Sequence, residues 1–104
     1  MGDPRRILTP AETADELTGT AFVHTGDRLD AAYRTADFAA AVRLLDAVAI
    51  EAEAAGHHPD VQLGWGRIAF ELSSHDVGGV TSRDLALARR IDALADEHGA
   101  RPGN

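Results

Sequence analysis

The sequence predicts an α+β fold in which three helices pack on one face of a four-stranded antiparallel sheet, in the order α-β-β-α-β-β-α. Two observations carry this. Extended segments with two-residue alternation fall in two consecutive pairs, the first joined by a glycine-containing turn and the second interrupted by glycines that suggest a turn or bulge. Segments with apolar residues three and four apart stand before, between and after those pairs, and each opens on a residue able to cap a helix.

Thr9-Pro10-Ala11-Glu12 starts the first helix: Thr9 caps, Pro10 suits the first helical position and Glu12 closes a capping box. Ala11, Ala14 and Leu17 share one side, and Gly19 stops it. Residues 21–25 and 28–34 read as strands around the turn signal Gly26-Asp27. In the second of them Leu29, Ala31 and Tyr33 alternate with Asp30, Ala32 and Arg34, so one face is buried. Residues 35–55 form the longest helix, with Phe38, Val42, Leu45, Ala49 and Ala52 as its apolar stripe. Thr35 or Asp37 caps its start, and Gly56 is a left-handed stop.

Residues 61–73 are extended, with Ile68, Phe70 and Leu72 pointing one way and Arg67, Ala69 and Glu71 the other. Gly64 and Gly66 around Trp65 suggest a turn or bulge that splits the segment. After a loop at Val77-Gly78-Gly79-Val80, Thr81 and Asp84 form a second capping box. The last helix buries Leu87, Ala88, Ile91, Leu94 and Ala95 and ends near His98-Gly99.

A chain of 104 residues is one domain, 1–104, with ends at about 1–6 and 100–104 expected to fray. A domain this small is marginal alone, so self-association is expected. The formal net charge of −7 argues against nucleic acid or membrane surfaces as partners, because phosphate contacts need clustered Lys and Arg. Without cysteine there is no disulfide, thiolate nucleophile or zinc–cysteine site. Residues 1–10 lack the apolar core of a signal peptide and no stretch is long and apolar enough to span a bilayer, which makes the cytoplasm the expected location.

Histidine is the side chain that titrates near neutral pH unaided. Three of the five histidines, His57, His58 and His75, cluster in loops next to rigid elements, where reactive side chains tend to sit. The bland readings are a surface histidine or a cap on helix carbonyls, and adjacent residues of an extended chain point apart. With Asp60, Asp76 or Asp84 the histidines are also suitable metal-ligand types, but their spacing fits no zinc signature, and no metal is expected.

The segment Ala54-Ala55-Gly56-His57-His58-Pro59-Asp60-Val61 resembles the signature of the pterin-4a-carbinolamine dehydratases. The resemblance continues through Trp65, six positions after Pro59, and His75, ten positions later, within Ser74-His75-Asp76-Val77-Gly78-Gly79-Val80-Thr81. Asp84 stands where the family has its aspartate, and the similarity runs from about residue 7 to 95. One departure is Thr20, where the family often has tryptophan.

The resemblance implies conversion of 4a-hydroxytetrahydropterin to quinonoid dihydropterin and water without metal or cofactor, in a homodimer or homotetramer. It implies catalytic roles for His57, His58 and His75, and contact with the pterin by Asp84, Trp65 and Pro59. The chemistry suits histidine. Elimination needs an acid for the departing hydroxyl and a base for the N5 proton, and imidazolium and imidazole supply both near neutrality. The alternatives are a non-catalytic binding module and the same fold turned to another substrate. Relatives of the first kind act as a dimerisation cofactor or as a carboxysome assembly factor. Retention of all three histidines favours the enzyme, since a scaffold has no need of them.

Overall fold

A computed structural model describes residues 3–103. The elements are α1 (Pro10–Leu17), β1 (Val23–Thr25), β2 (Arg28–Arg34), α2 (Phe38–Ala55), β3 (Asp60–Gly64), β4 (Arg67–Leu72), α3 (Ser82–Glu97) and a short β5 (Arg101–Pro102). The sheet is antiparallel, as expected; its strand order is β1-β2-β4-β3, and β5 adds a fifth strand against β2.

Alternation decides the faces. Leu29, Ala31 and Tyr33 of β2 and Ile68, Phe70 and Leu72 of β4 are buried against the helices. Tyr33 and Phe70 meet edge to face with ring centroids 6.2 Å apart. The Tyr33 hydroxyl donates to Asp92 on α3 at 2.6 Å, and the same carboxylate oxygen accepts from the Ala21 backbone at 3.1 Å. The opposite face of the sheet is open and is organised in rows. Asp30, Glu71 and Asp60 are paired across β2, β4 and β3; Ala32, Ala69 and Gln62 form the next row, and Arg34 and Arg67 pair beyond it.

The helix starts follow the sequence closely. Thr9 and Glu12 close a capping box on α1, Asp37 caps α2 through the Ala40 N–H, and Gly56 ends α2 with φ +64°. The buried faces of α1 and α2 differ from expectation. In α1, Thr13 and Leu17 are buried, whereas Ala11 and Ala14 are exposed. Thr13 goes inward because its hydroxyl lies 2.8 Å from Nδ1 of His24 on β1, a tertiary contact that outweighs the methyl groups of alanine. In α2 the buried stripe is Ala41, Leu44, Val48 and Ala52; Phe38 is 49% exposed and Ala49 is exposed too. The helix is apolar on nearly every side, so periodicity leaves its phase open, and the close fit of small Ala41 and Ala52 with Leu44 and Val48 sets it. In α3 the expected residues Leu87, Ala88, Ile91, Leu94 and Ala95 are all buried, joined by Leu85 and Asp84.

The C-terminal segment does not fray as expected. Gly99 turns the chain at φ +72°, and Tyr33 and Arg34 pair with Pro102 and Arg101. The Gly103 N–H closes the contact on the Ala32 carbonyl at 2.9 Å. At the other end, the Leu8 N–H donates to the Val80 carbonyl at 2.7 Å and Arg83 Nε donates to the Pro4 carbonyl at 2.8 Å, so residues 4–8 are tied to the loop before α3. Met1, Gly2 and Asn104, also within the expected frayed ends, lie outside the described residues. Among the described residues no helix is long and apolar enough to cross a membrane.

Candidate active site

The C-terminus of α2, the loop 73–80 and the N-terminus of α3 meet at one buried carboxylate. Asp84 is fully buried, and both of its oxygens are engaged. Oδ2 accepts from the Thr81 backbone N–H at 2.9 Å, the capping-box bond that starts α3, and from the Ser74 hydroxyl at 2.7 Å. Oδ1 lies 2.6 Å from Nε2 of His57, whose ring is mostly buried. One aspartate thus caps a helix and meets a histidine with its other oxygen.

Proton bookkeeping fixes the histidine. A carboxylate oxygen in this network is an acceptor, so the hydrogen of that bond sits on Nε2. Nδ1 is then the proton-accepting nitrogen. It makes no hydrogen bond among the described residues, where every buried side-chain polar atom has a partner, so Nδ1 reaches the surface. His57 lines a groove of about 400 Å³ together with Glu51, Ala55, Arg83, Ala86, Leu87 and Arg90. Arg90 is held by Glu51 at 2.9 Å, and Arg83 by Asp76 at 2.8 Å. The Arg83 hydrogen bond and charge hold the Asp76 carboxyl below its usual range.

His75 is exposed and follows Ser74 directly. It starts a loop closed on itself: the Ser74 N–H donates to the Gly79 carbonyl at 2.8 Å, and the Ser74 carbonyl accepts from Gly78 N–H at 2.9 Å. Gly78 makes this turn with φ +74°. The structure therefore brings His57, Asp84 and the base of the His75 loop together. It places the remaining sequence-derived candidates elsewhere. His58 is exposed and pairs with Glu53 on the last turn of α2. Pro59 is half-buried between His58 and β3. Trp65 is 76% exposed at the tip of the β3–β4 hairpin, the length of β3 away from the histidines, roughly 17 Å by strand rise.

Sequence reasoning missed Ser74, Thr81 and the groove residues Glu51, Arg83 and Arg90 as site residues. Thr81 carried a signal as a cap and Ser74 stood in the family-like segment beside His75, but nothing local announced that the second oxygen of Asp84 would turn back to the end of α2. A larger hollow of about 650 Å³ lies on the open face of the sheet, lined by Asp30, Ala32, Asp60, Gln62, Arg67 and Glu71 among others, and includes none of the histidines. Among the described residues no group of three or more His, Cys, Asp or Glu side chains is disposed to hold a metal ion.

Fold and site together define an α+β domain with a buried His–Asp pair beside a groove. Comparison with known proteins is specific. Residues 6–94 match the family model for pterin 4 alpha carbinolamine dehydratase, and the chain belongs to that family. A Nocardia farcinica protein provisionally named as such a dehydratase is 42% identical over 94 residues, covering 85% of this chain and 99% of its own. One from Thermosynechococcus vestitus, named in the same way, is 37% identical, with 85% and 94% covered. Among solved structures, a Brucella melitensis transcriptional coactivator/pterin dehydratase superposes with TM-score 0.80 at 26% identity, covering 86% of this chain and 99% of that one. A pterin dehydratase-like RuBisCO assembly factor of the α-carboxysome superposes with TM-score 0.62 at 26% identity, over 74% and 92%.

Proposed function

We propose that this protein dehydrates a 4a-hydroxytetrahydropterin to the quinonoid dihydropterin and water. The observation that carries the reading is the 2.6 Å contact of His57 with buried Asp84, beside a groove that His57 itself lines. A volume near 400 Å³ suits a flat bicyclic ring, since small-molecule sites span about 300–1,000 Å³. Ala55, Ala86 and Leu87 offer it apolar walls, and the guanidinium groups of Arg83 and Arg90 offer donors for its polar edge.

In this reading Nδ1 of His57 takes the proton from N5 of the substrate. Asp84 stabilises the imidazolium that forms. The N5 electron pair closes the C4a=N5 double bond as the C4a–O bond breaks. Protonated His75 gives its proton to the departing hydroxyl, which leaves as water. The N5 proton and the acid proton account for both transfers; His57 then releases one proton to solvent and His75 takes one up, which resets the pair. His58 assists from the rim, beside Pro59. Trp65 is not part of the groove wall in one protomer. The protein acts as a single domain in the cytoplasm, as a homodimer or homotetramer, without metal or cofactor.

The test is dehydration measured by ultraviolet absorbance in a coupled hydroxylase assay. Wild type accelerates the reaction, and His75→Ala loses most of the rate while remaining folded. Full activity in the His57→Ala, His75→Ala double variant overturns the assignment. A second reading, an assembly factor, is favoured by the similarity to the carboxysomal protein. An inactive wild type that binds a protein partner tightly would support it.

A further inference from the structure

We infer that Ser74 is a positioning residue that sets both histidines at once: its hydroxyl directs Asp84 onto His57, and its backbone anchors the loop carrying His75. Ser74 is fully buried, although it neighbours an exposed histidine. Its hydroxyl has two partners, Asp84 Oδ2 at 2.7 Å and Thr81 Oγ1 at 2.8 Å.

The direction of this chain follows from counting protons. Asp84 only accepts, so Ser74 spends its one hydrogen there. Thr81 must then donate its own hydroxyl hydrogen to Ser74 Oγ. Thr81 Oγ1 in turn accepts from the Arg83 backbone N–H at 3.3 Å. The donors run from Arg83 N–H through Thr81 and Ser74 to Asp84, and His57 Nε2–H meets the other oxygen. Every hydrogen points toward the carboxylate, as expected of a network built around one negative charge. A capping box alone requires only Thr81 and Asp84. The Ser74 hydroxyl is additional to it.

Removing the Ser74 donor leaves Asp84 a stronger base and a stronger acceptor, so the first proton taken up by the His57–Asp84 pair binds more tightly. The other charged groups around His57 are Arg83 and Arg90 of α3, Glu51 of α2 and the adjacent His58–Glu53 pair. None of these bonds the Ser74 hydroxyl, whose partners are Asp84 and Thr81, so a change at Ser74 leaves them in place.

The experiment is an NMR titration of the His57 ring in nitrogen-15-labelled protein, assigned with His57→Ala and paired with kinetics. In folded Ser74→Ala the His57 midpoint rises by about one unit and kcat falls about ten-fold, with KM within about two-fold. Ser74→Thr, which restores a hydroxyl, brings both back. Thr81→Val removes the next hydroxyl in the chain and moves the midpoint the same way by less, which serves if Ser74→Ala does not fold. An unmoved midpoint in whichever variant folds overturns the inference, as does an unchanged kcat in an active protein, because lost packing lowers stability without shifting this titration. The kinetic arm rests on the dehydratase reading; the titration does not. A shifted midpoint in Ser74→Ala, with no dehydration by the wild type, supports the positioning role and sinks the proposed reaction.

Discussion

Asp84→Asn keeps the size of the side chain and changes which of its atoms can accept a proton. The Thr81 N–H, 2.9 Å from Oδ2, can only donate, so the amide oxygen must stay on that side. The amide NH2 then faces His57 Nε2, at the position where a carboxylate oxygen stood 2.6 Å away. Two donors cannot meet, so the ring proton moves to Nδ1 and Nε2 becomes the acceptor. The nitrogen that reaches the surface is then protonated in the neutral ring and is lost as a base. In the serine-protease triad a wrong tautomer of this kind costs roughly 10⁴ in kcat, and a fall of about 10³–10⁴-fold is expected here. Stability should drop by only about 1–3 kcal/mol, because charge-assisted bonds become neutral ones and none is abandoned. The rate comes from the coupled dehydration assay and the tautomer from nitrogen-15 shifts of His57. A folded Asp84→Asn protein with full activity, or with the ring proton still on Nε2, would refute the reasoning.

Tyr33 is the single tyrosine, and burial together with its bond to Asp92 pushes its phenol well above the ordinary value of 10.0. A raised value favours the protonated, folded form. Its contribution is therefore intact below about pH 10 and is lost at about 1.4 kcal/mol per pH unit above it. Phenolate absorbance should appear only together with unfolding by circular dichroism, and Tyr33→Phe should flatten the alkaline loss; phenolate in a folded protein at pH 10 contradicts this. A Cβ at Gly79 would lie 2.8 Å from Cγ2 of Ile7. Gly79→Ala is therefore expected to cost about 1–3 kcal/mol in thermal or denaturant unfolding, and Ile7→Ala in the same chain should relieve it. Leu44→Ala should cost about 2–5 kcal/mol and Phe38→Ala well under half of that, since Leu44 is fully buried and Phe38 is half-exposed; equal costs would mean that the stripe of α2 has been misassigned.

The sheet was legible because alternation in β2 and β4 is strict and a one-residue slip would turn every apolar side chain to water. The starts of α1 and α3 were legible because capping boxes are local. The phase of α2 was not, because an alanine-rich helix offers several faces of similar hydrophobicity. Nor was β5, where two residues, one of them proline, carry no period. At the site, the sequence supplied the residue types: His57, His75 and Asp84 were all singled out. It could not supply the pairing of His57 with Asp84 across 27 positions, nor the different setting of His58 on Glu53. Those are tertiary facts, fixed by where the end of α2 crosses the start of α3.

The only tryptophan stands alone at a hairpin tip, with three-quarters of its surface in water. That makes it a fluorophore outside the wall of the groove that His57 lines. Its emission reads whatever comes to cover the tip, such as another copy of the chain, and stays blind to a small molecule seated beside the imidazole of His57. Emission followed against protein concentration would therefore report assembly from one unmodified chain, with added pterin leaving that signal unchanged.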